Sequence, residues 1–189
     1  MSLLERFDVA DQIPMVYCTF YGSIAWRFAP LRSCTDELRR GFEIGLSCGN
    51  AVGGFYCAIE AMKCAFYSGE NLVSMLKEID YYLQLSKTYG NNQLTKNYLL
   101  NFRETISTLI DKGQETSIEE VPSFRNGDIV GESTALFHKA IRAYWLGYTE
   151  RCNHFIKNCL PLIGPSGRHN SCVMKFYLGK QVNMTCCDD

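Results

Sequence analysis

The side chains best suited to metal chemistry gather in the last third of the chain: Cys152-x-His154 with Cys159, joined by His138, His169 and Cys172. Zinc asks for four such ligands converging tetrahedrally. Cys152 and Cys159 are seven positions apart and share a helix face, whereas His154 is turned roughly 200° from Cys152 at about 100° per residue. One helix cannot aim all three at one ion. Core packing is the expected role of both thiols, and no metal site is assigned. Cys186-Cys187 is an adjacent pair near the end of the chain, open to redox or metal chemistry but more simply an inert tail. Ten cysteines and three histidines leave a thiolate nucleophile with an imidazole base conceivable. Nothing in the sequence places such a pair together, so no catalytic residue is assigned.

Two carboxylates carry a different chemistry. Glu43 and Glu60 could face each other across adjacent helices as a general acid and base, although Glu43 falls on an expected wet face. Glu60 is isolated among apolar neighbours, so it either pairs with Lys63, Arg27 or Arg39 or lines a ligand groove. Tyr56, Tyr67, Tyr81, Tyr82, Tyr89 and Tyr98 offer large contact area with a polar tip, which suits a groove that grips peptides, as well as ordinary hairpin packing. The candidate groove residues are Tyr56, Glu60, Tyr82 and Tyr98.

Helices must position these groups. Gly49, Gly69, Gly90 and Gly113 are 20, 21 and 23 residues apart, and glycine just past a helix end is the usual left-handed stop. A helix and turn of that length, doubled, is the period of stacked helical hairpins. Apolar spacing predicts a helix from Ile13-Pro14 through Phe28, ended by Pro30, and a second from Leu31 or Thr35 to Gly49. Asn50 caps a small-sided, central helix to Tyr67, and Asn71 caps one running to Gly90. Asn91–Asp111 completes the block 1–113. Residues 114–131 read as a linker or docked loop. Ser133 is expected to cap a helix to Gly147, Thr149 the next one to Leu160, and Asn170 to Lys180 forms a last helix within 132–180. Residues 181–189 read as a tail.

Composition narrows the classes. Hydrophobic residues make up 47% of 189 residues, with a net charge of −1, which fits a folded domain and leaves no basic field for nucleic acid. No apolar run approaches the roughly 20 residues that span a bilayer, and Met1–Ala10 does not read as a leader. Buried thiols in a reducing cytoplasm are expected rather than a disulfide framework.

Tyr144-Trp145-Leu146-Gly147-Tyr148-Thr149-Glu150-Arg151-Cys152 through Leu160 resembles the middle of a tetratricopeptide hairpin. Gly147 falls at the tight turn, Cys152 stands where a small alanine is usual, and Pro161 follows the second helix. A longer run resembles the helical repeat region of large multidomain signalling ATPases. It comprises Trp26, Pro30-Leu31, Arg40-Gly41-Phe42-Glu43-Ile44-Gly45-Leu46, Gly49-Asn50, the small-sided helix, Phe66-Tyr67-Ser68-Gly69-Glu70-Asn71-Leu72 and Tyr81 or Tyr82. In those proteins the region follows an AAA-type ATPase module. It often precedes sensor, histidine-kinase or nucleotide-cyclase domains, and a protein-kinase domain can stand in front. Those proteins are far longer. This chain has no Gly-x-x-x-x-Gly-Lys-[Ser/Thr], Asp-Phe-Gly or His-Arg-Asp, so their ATPase and kinase activities are not carried over to any residue here.

The expectation is an all-α array of antiparallel hairpins stacked as a tetratricopeptide-like right-handed superhelix. It would be a non-catalytic scaffold without cofactor, docking protein or peptide segments or neighbouring domains of a longer protein. Two alternatives stay open: a small-molecule-binding or enzymatic helical domain with a site around Glu60, and a truncated fragment whose ends meet missing repeats.

Overall fold

Gly49 and Gly147 take φ of 81° and 82°, a region costly to any residue with a Cβ. Gly69 and Gly90 do the same. The computed structural model describes residues 10–90, 93–111 and 128–162. Among them are seven α-helices and no strand: α1 (Ile13–Ser23), α2 (Leu31–Ser47), α3 (Ala51–Tyr67), α4 (Leu72–Thr88), α5 (Gln93–Ile110), α6 (Ile129–Trp145) and α7 (Thr149–Cys159). The architecture is all-α, as the spacing predicts. No helix among the described residues is long and apolar enough to cross a membrane. The stop at Gly113, the segment 114–127, the helix expected over 170–180 and the tail lie outside the described residues. The chain divides into two compact units, Met1–Leu99 and Leu100–Asp189, the division falling within α5.

In the first unit, the side-chain oxygens of Asn50 and Asn71 accept from the N–H groups of Gly53 (2.8 Å) and Ser74 (3.0 Å). Each cap satisfies one of the orphan donors at a helix start. α3 is buried along most of its length, and its small residues let neighbours close on it. A Cβ on Gly45 would lie 2.5 Å from Cα of Gly54, and one on Gly22 would lie 2.9 Å from Cγ of Glu60. α2 therefore meets α3 backbone to backbone, and α1 packs on both. α4 packs on α3. Phe42 is central, with its ring edge-on to Phe55 at 5.5 Å and to Tyr82 at 4.7 Å, the geometry that ring quadrupoles favour.

In the second unit, α6 and α7 form a hairpin around Ala140, Ala143, Cys152 and Phe155. The Cys159 thiol donates to the Ser133 carbonyl at 3.3 Å. His138 of α6 is buried against the second half of α5. Phe102 stands edge-on to its ring at 4.4 Å, and Thr105 Oγ1 lies 2.9 Å from its Nδ1.

Three helix ends differ from expectation. α1 stops at Ser23 instead of reaching Phe28, and Ala25–Arg27 tighten into a 3-10 turn in which Trp26 Nε1–H donates to the Ser23 carbonyl at 3.0 Å. Gly22 and Ser23 are weak helix formers, and Ala29, before Pro30, is pushed out of the helical region. α6 starts at Ile129, so residues 129–131, expected in the linker, form its first turn. Asp128 is the cap, accepting from the Gly131 N–H at 2.9 Å. Ser133, the expected cap, lies inside the helix and donates to the Val130 carbonyl. Thr149 is the first residue of α7 rather than its cap. Tyr148 precedes it with no side-chain cap bond, its ring not being one of the short oxygen-bearing side chains that cap helix starts, and the Thr149 N–H bonds to the Gly147 carbonyl in the turn.

Candidate functional site

Arg39 of α2 lies where α2, the α3–α4 turn and α4 meet. Its Nε and one terminal nitrogen donate to the two carboxylate oxygens of Glu78 on α4 at 2.8 and 2.7 Å. Its terminal nitrogens also donate to Glu70 in the turn, at 2.8 and 3.3 Å, and weakly to Asp36 at 3.5 Å. Such two-pronged pairing suits the planar guanidinium fork. Tyr82, one turn beyond Glu78, donates its hydroxyl to Glu78 at 2.6 Å.

These groups border an open cleft of about 450 Å³. Phe42 and Leu46 contribute apolar surface, Tyr81, Tyr82 and Tyr89 contribute rings, and Arg39, Glu43 and Glu78 contribute charge. Tyr82 is buried at 3% exposure, whereas Tyr81 (52%) and Tyr89 (46%) stand open to solvent. The hydrogen bond to Glu78, opposed by burial and supported by Glu70, holds Arg39 firmly charged, above its ordinary value. Burial, then the Glu78 charge and its hydrogen bond, push the Tyr82 hydroxyl well above its ordinary value, so it remains a donor. Ser47 also lines the cleft and gives its hydroxyl hydrogen to the Ile44 carbonyl at 2.8 Å. No cysteine or histidine is among the lining residues. The cleft offers ring faces, a small apolar floor and carboxylates.

Of Tyr56, Glu60, Tyr82 and Tyr98, Tyr82 lines the cleft. Tyr56 is half-buried on α3. Glu60 is taken up by Lys63, one of its three expected partners, at 2.6 Å, and Lys63 Nζ sits 5.7 Å from the centre of the buried Tyr98 ring. Glu43 stands on the cleft with Glu78, and Glu60 is not among its lining residues. Cys152 and Cys159 face the core, while His154 is on the exposed face, 3.0 Å from the Asn158 amide. His169, Cys172, Cys186 and Cys187 lie outside the described residues.

Sequence reasoning missed Arg39, Glu43 and Glu78 as lining groups. The available signals were the i,i+4 pairs Arg39–Glu43 and Glu78–Tyr82. Compared with protein-family models, curated proteins and solved structures, the chain matches none.

Proposed function

We propose that this chain is a non-catalytic helical-repeat scaffold for protein–protein interaction. In this reading α2–α3 is one of the tetratricopeptide-like hairpins of a right-handed superhelix, and the cleft bordered by α2 and α4 docks an extended protein segment. The observation that carries it is the cleft itself. Two exposed tyrosines, Tyr81 and Tyr89, stand beside an apolar floor at Phe42 and Leu46. Open grooves lined by aromatic faces suit segments presented in extended form. The resemblance to the repeat region of multidomain signalling ATPases points the same way, toward coupling between modules rather than chemistry.

The test is selection of a displayed random-peptide library on the full 189-residue chain, followed by affinity measurement on Tyr81→Ala and Tyr89→Ala. Enriched peptides that lose about 5-fold or more in affinity on either variant support the reading. No enrichment over an unrelated helical protein, or peptides indifferent to both substitutions, would overturn it.

A further inference from the structure

We infer that the cleft selects a basic side chain, so that the docked segment carries an arginine or lysine at the position facing Glu43. The inference rests on the docking reading and names the chemistry of the partner. Arg39 is the only cation among the lining residues, and its charge is already committed. It donates in two-pronged fashion to Glu78 and Glu70 and weakly to Asp36. Three carboxylates on one guanidinium leave negative charge in excess.

Glu43 adds to that excess. It lies one helical turn beyond Arg39, is exposed, and has no ion pair among the described residues. Beside it are the open rings of Tyr81 and Tyr89, whose faces attract ammonium and guanidinium groups. The apolar surface of Phe42 and Leu46 would take the methylene stem below the charged head. An acidic segment would meet uncompensated carboxylates. A wholly apolar one would leave Glu43 partly desolvated without a partner.

Short acetylated and amidated peptides of one leucine–serine host sequence would be titrated into the full chain, with arginine, lysine, citrulline, norleucine or glutamate as the central guest. Binding would be read from the NMR signals of Tyr81 and Tyr89. Arginine and lysine peptides are expected to bind about 5-fold or more tighter than citrulline and norleucine peptides, with the margin shrinking at high salt. Glu43→Gln, an exposed change whose helicity and urea midpoint should match the parent, is expected to bring basic and neutral guests within about 2-fold of each other. Equal binding of basic and neutral guests by the parent chain, or a preference that survives Glu43→Gln unchanged, would overturn the inference and leave peptide docking standing. No response of Tyr81 or Tyr89 to any peptide would overturn the docking reading and this inference with it.

Discussion

The guanidinium of Arg39 and the carboxylate of Glu78 form a two-pronged pair, 2.8 and 2.7 Å long, between helices α2 and α4. Both side chains are mostly shielded, at 29% and 21% exposure, so each is more costly to leave alone than an exposed ion pair partner would be. Arg39→Met strands Glu78 and Glu70 together. It should lower stability by about 2–3 kcal/mol, below the range for breaking fully buried pairs because solvent still reaches these groups. Arg39→Lys keeps the charge but not the fork and should lose about 1 kcal/mol or more. Adding Glu78→Gln to Arg39→Met should recover part of the loss, because the stranded charge causes it. Urea midpoints measure all three. A midpoint for Arg39→Met indistinguishable from the parent would show that the pair is incidental.

Gly45 and Gly54 set the crossing of α2 and α3. A Cβ on Gly45 meets backbone, Cα and N of Gly54 at 2.5 and 2.7 Å, and neither helix can yield without shifting the hairpin. Gly45→Ala should cost about 3 kcal/mol or prevent folding. Gly49→Ala meets nothing within 4 Å but must hold φ at 81°, so it should cost only about 1–2 kcal/mol. The comparison separates steric from conformational cost. Equal losses at the two sites would refute the backbone contact.

Local signals made much of the helix order readable. Asn50 and Asn71 reach N–H groups three residues on, and the glycine stops act within one turn, so both are written in short windows. The Glu60–Lys63 pair is readable for the same reason, being three residues apart. Two local signals compete at the start of α6. Residues 114–131 read as a linker although Asp128 among them is a good cap, and Ser133, four residues past the helix start at Ile129, is the more conspicuous capping residue beside the apolar run. The cleft is of another kind. Arg39 and Glu78 are 39 positions apart, and nothing in either stretch announces the other. Their meeting depends on how far α3 lets α2 and α4 approach, which is set by Gly45, Gly54 and the ring of Phe42.

Cys18 and Cys57 differ sharply in expected reactivity. The hydrogen bond with Cys57, opposed by burial and the Glu60 carboxylate, draws the Cys18 thiol below its ordinary value. The neighbouring Cys18 sulfur, burial and the charge of a Cys18 thiolate raise Cys57, whose one thiol hydrogen goes to the Pro14 carbonyl at 3.0 Å. Cys18 is half-exposed, whereas Cys34, Cys57, Cys64, Cys152 and Cys159 are buried. Iodoacetamide at neutral pH, with peptide mass spectrometry, should alkylate Cys18 at least about 10-fold faster than those five. Cys57→Ala, which removes the neighbouring thiol, should slow Cys18. Unchanged Cys18 labelling in that variant would remove Cys57 as the cause.

Alkaline pH should unfold the protein through its buried acids, and Cys64 allows the sign to be worked out. Burial, and secondarily the Glu60 carboxylate, push the Cys64 thiol from 9.0 up to about 12 in the folded chain. Below pH 9 the thiol is protonated whether the chain is folded or not, and stability does not depend on it. Between pH 9 and 12 the unfolded chain releases the proton and the folded chain keeps it. Stability then falls as pH rises, by at most about 1.4 kcal/mol per pH unit for one group. Cys152 and Cys159, raised by burial to about 11, and Tyr82 act in the same direction. Arg142, brought down by burial to about 10, opposes them above pH 10. The net expectation is a flat profile up to about pH 9 and a decline beyond it. Cys64→Ala should start about 1 kcal/mol lower at pH 8 from the lost packing and decline less steeply, so the two curves converge. Urea midpoints at steps from pH 8 to 10.5 would show it. A parent profile that stays flat to the last step, or a Cys64→Ala profile parallel to the parent, would mean that the folded chain does not hold this thiol protonated.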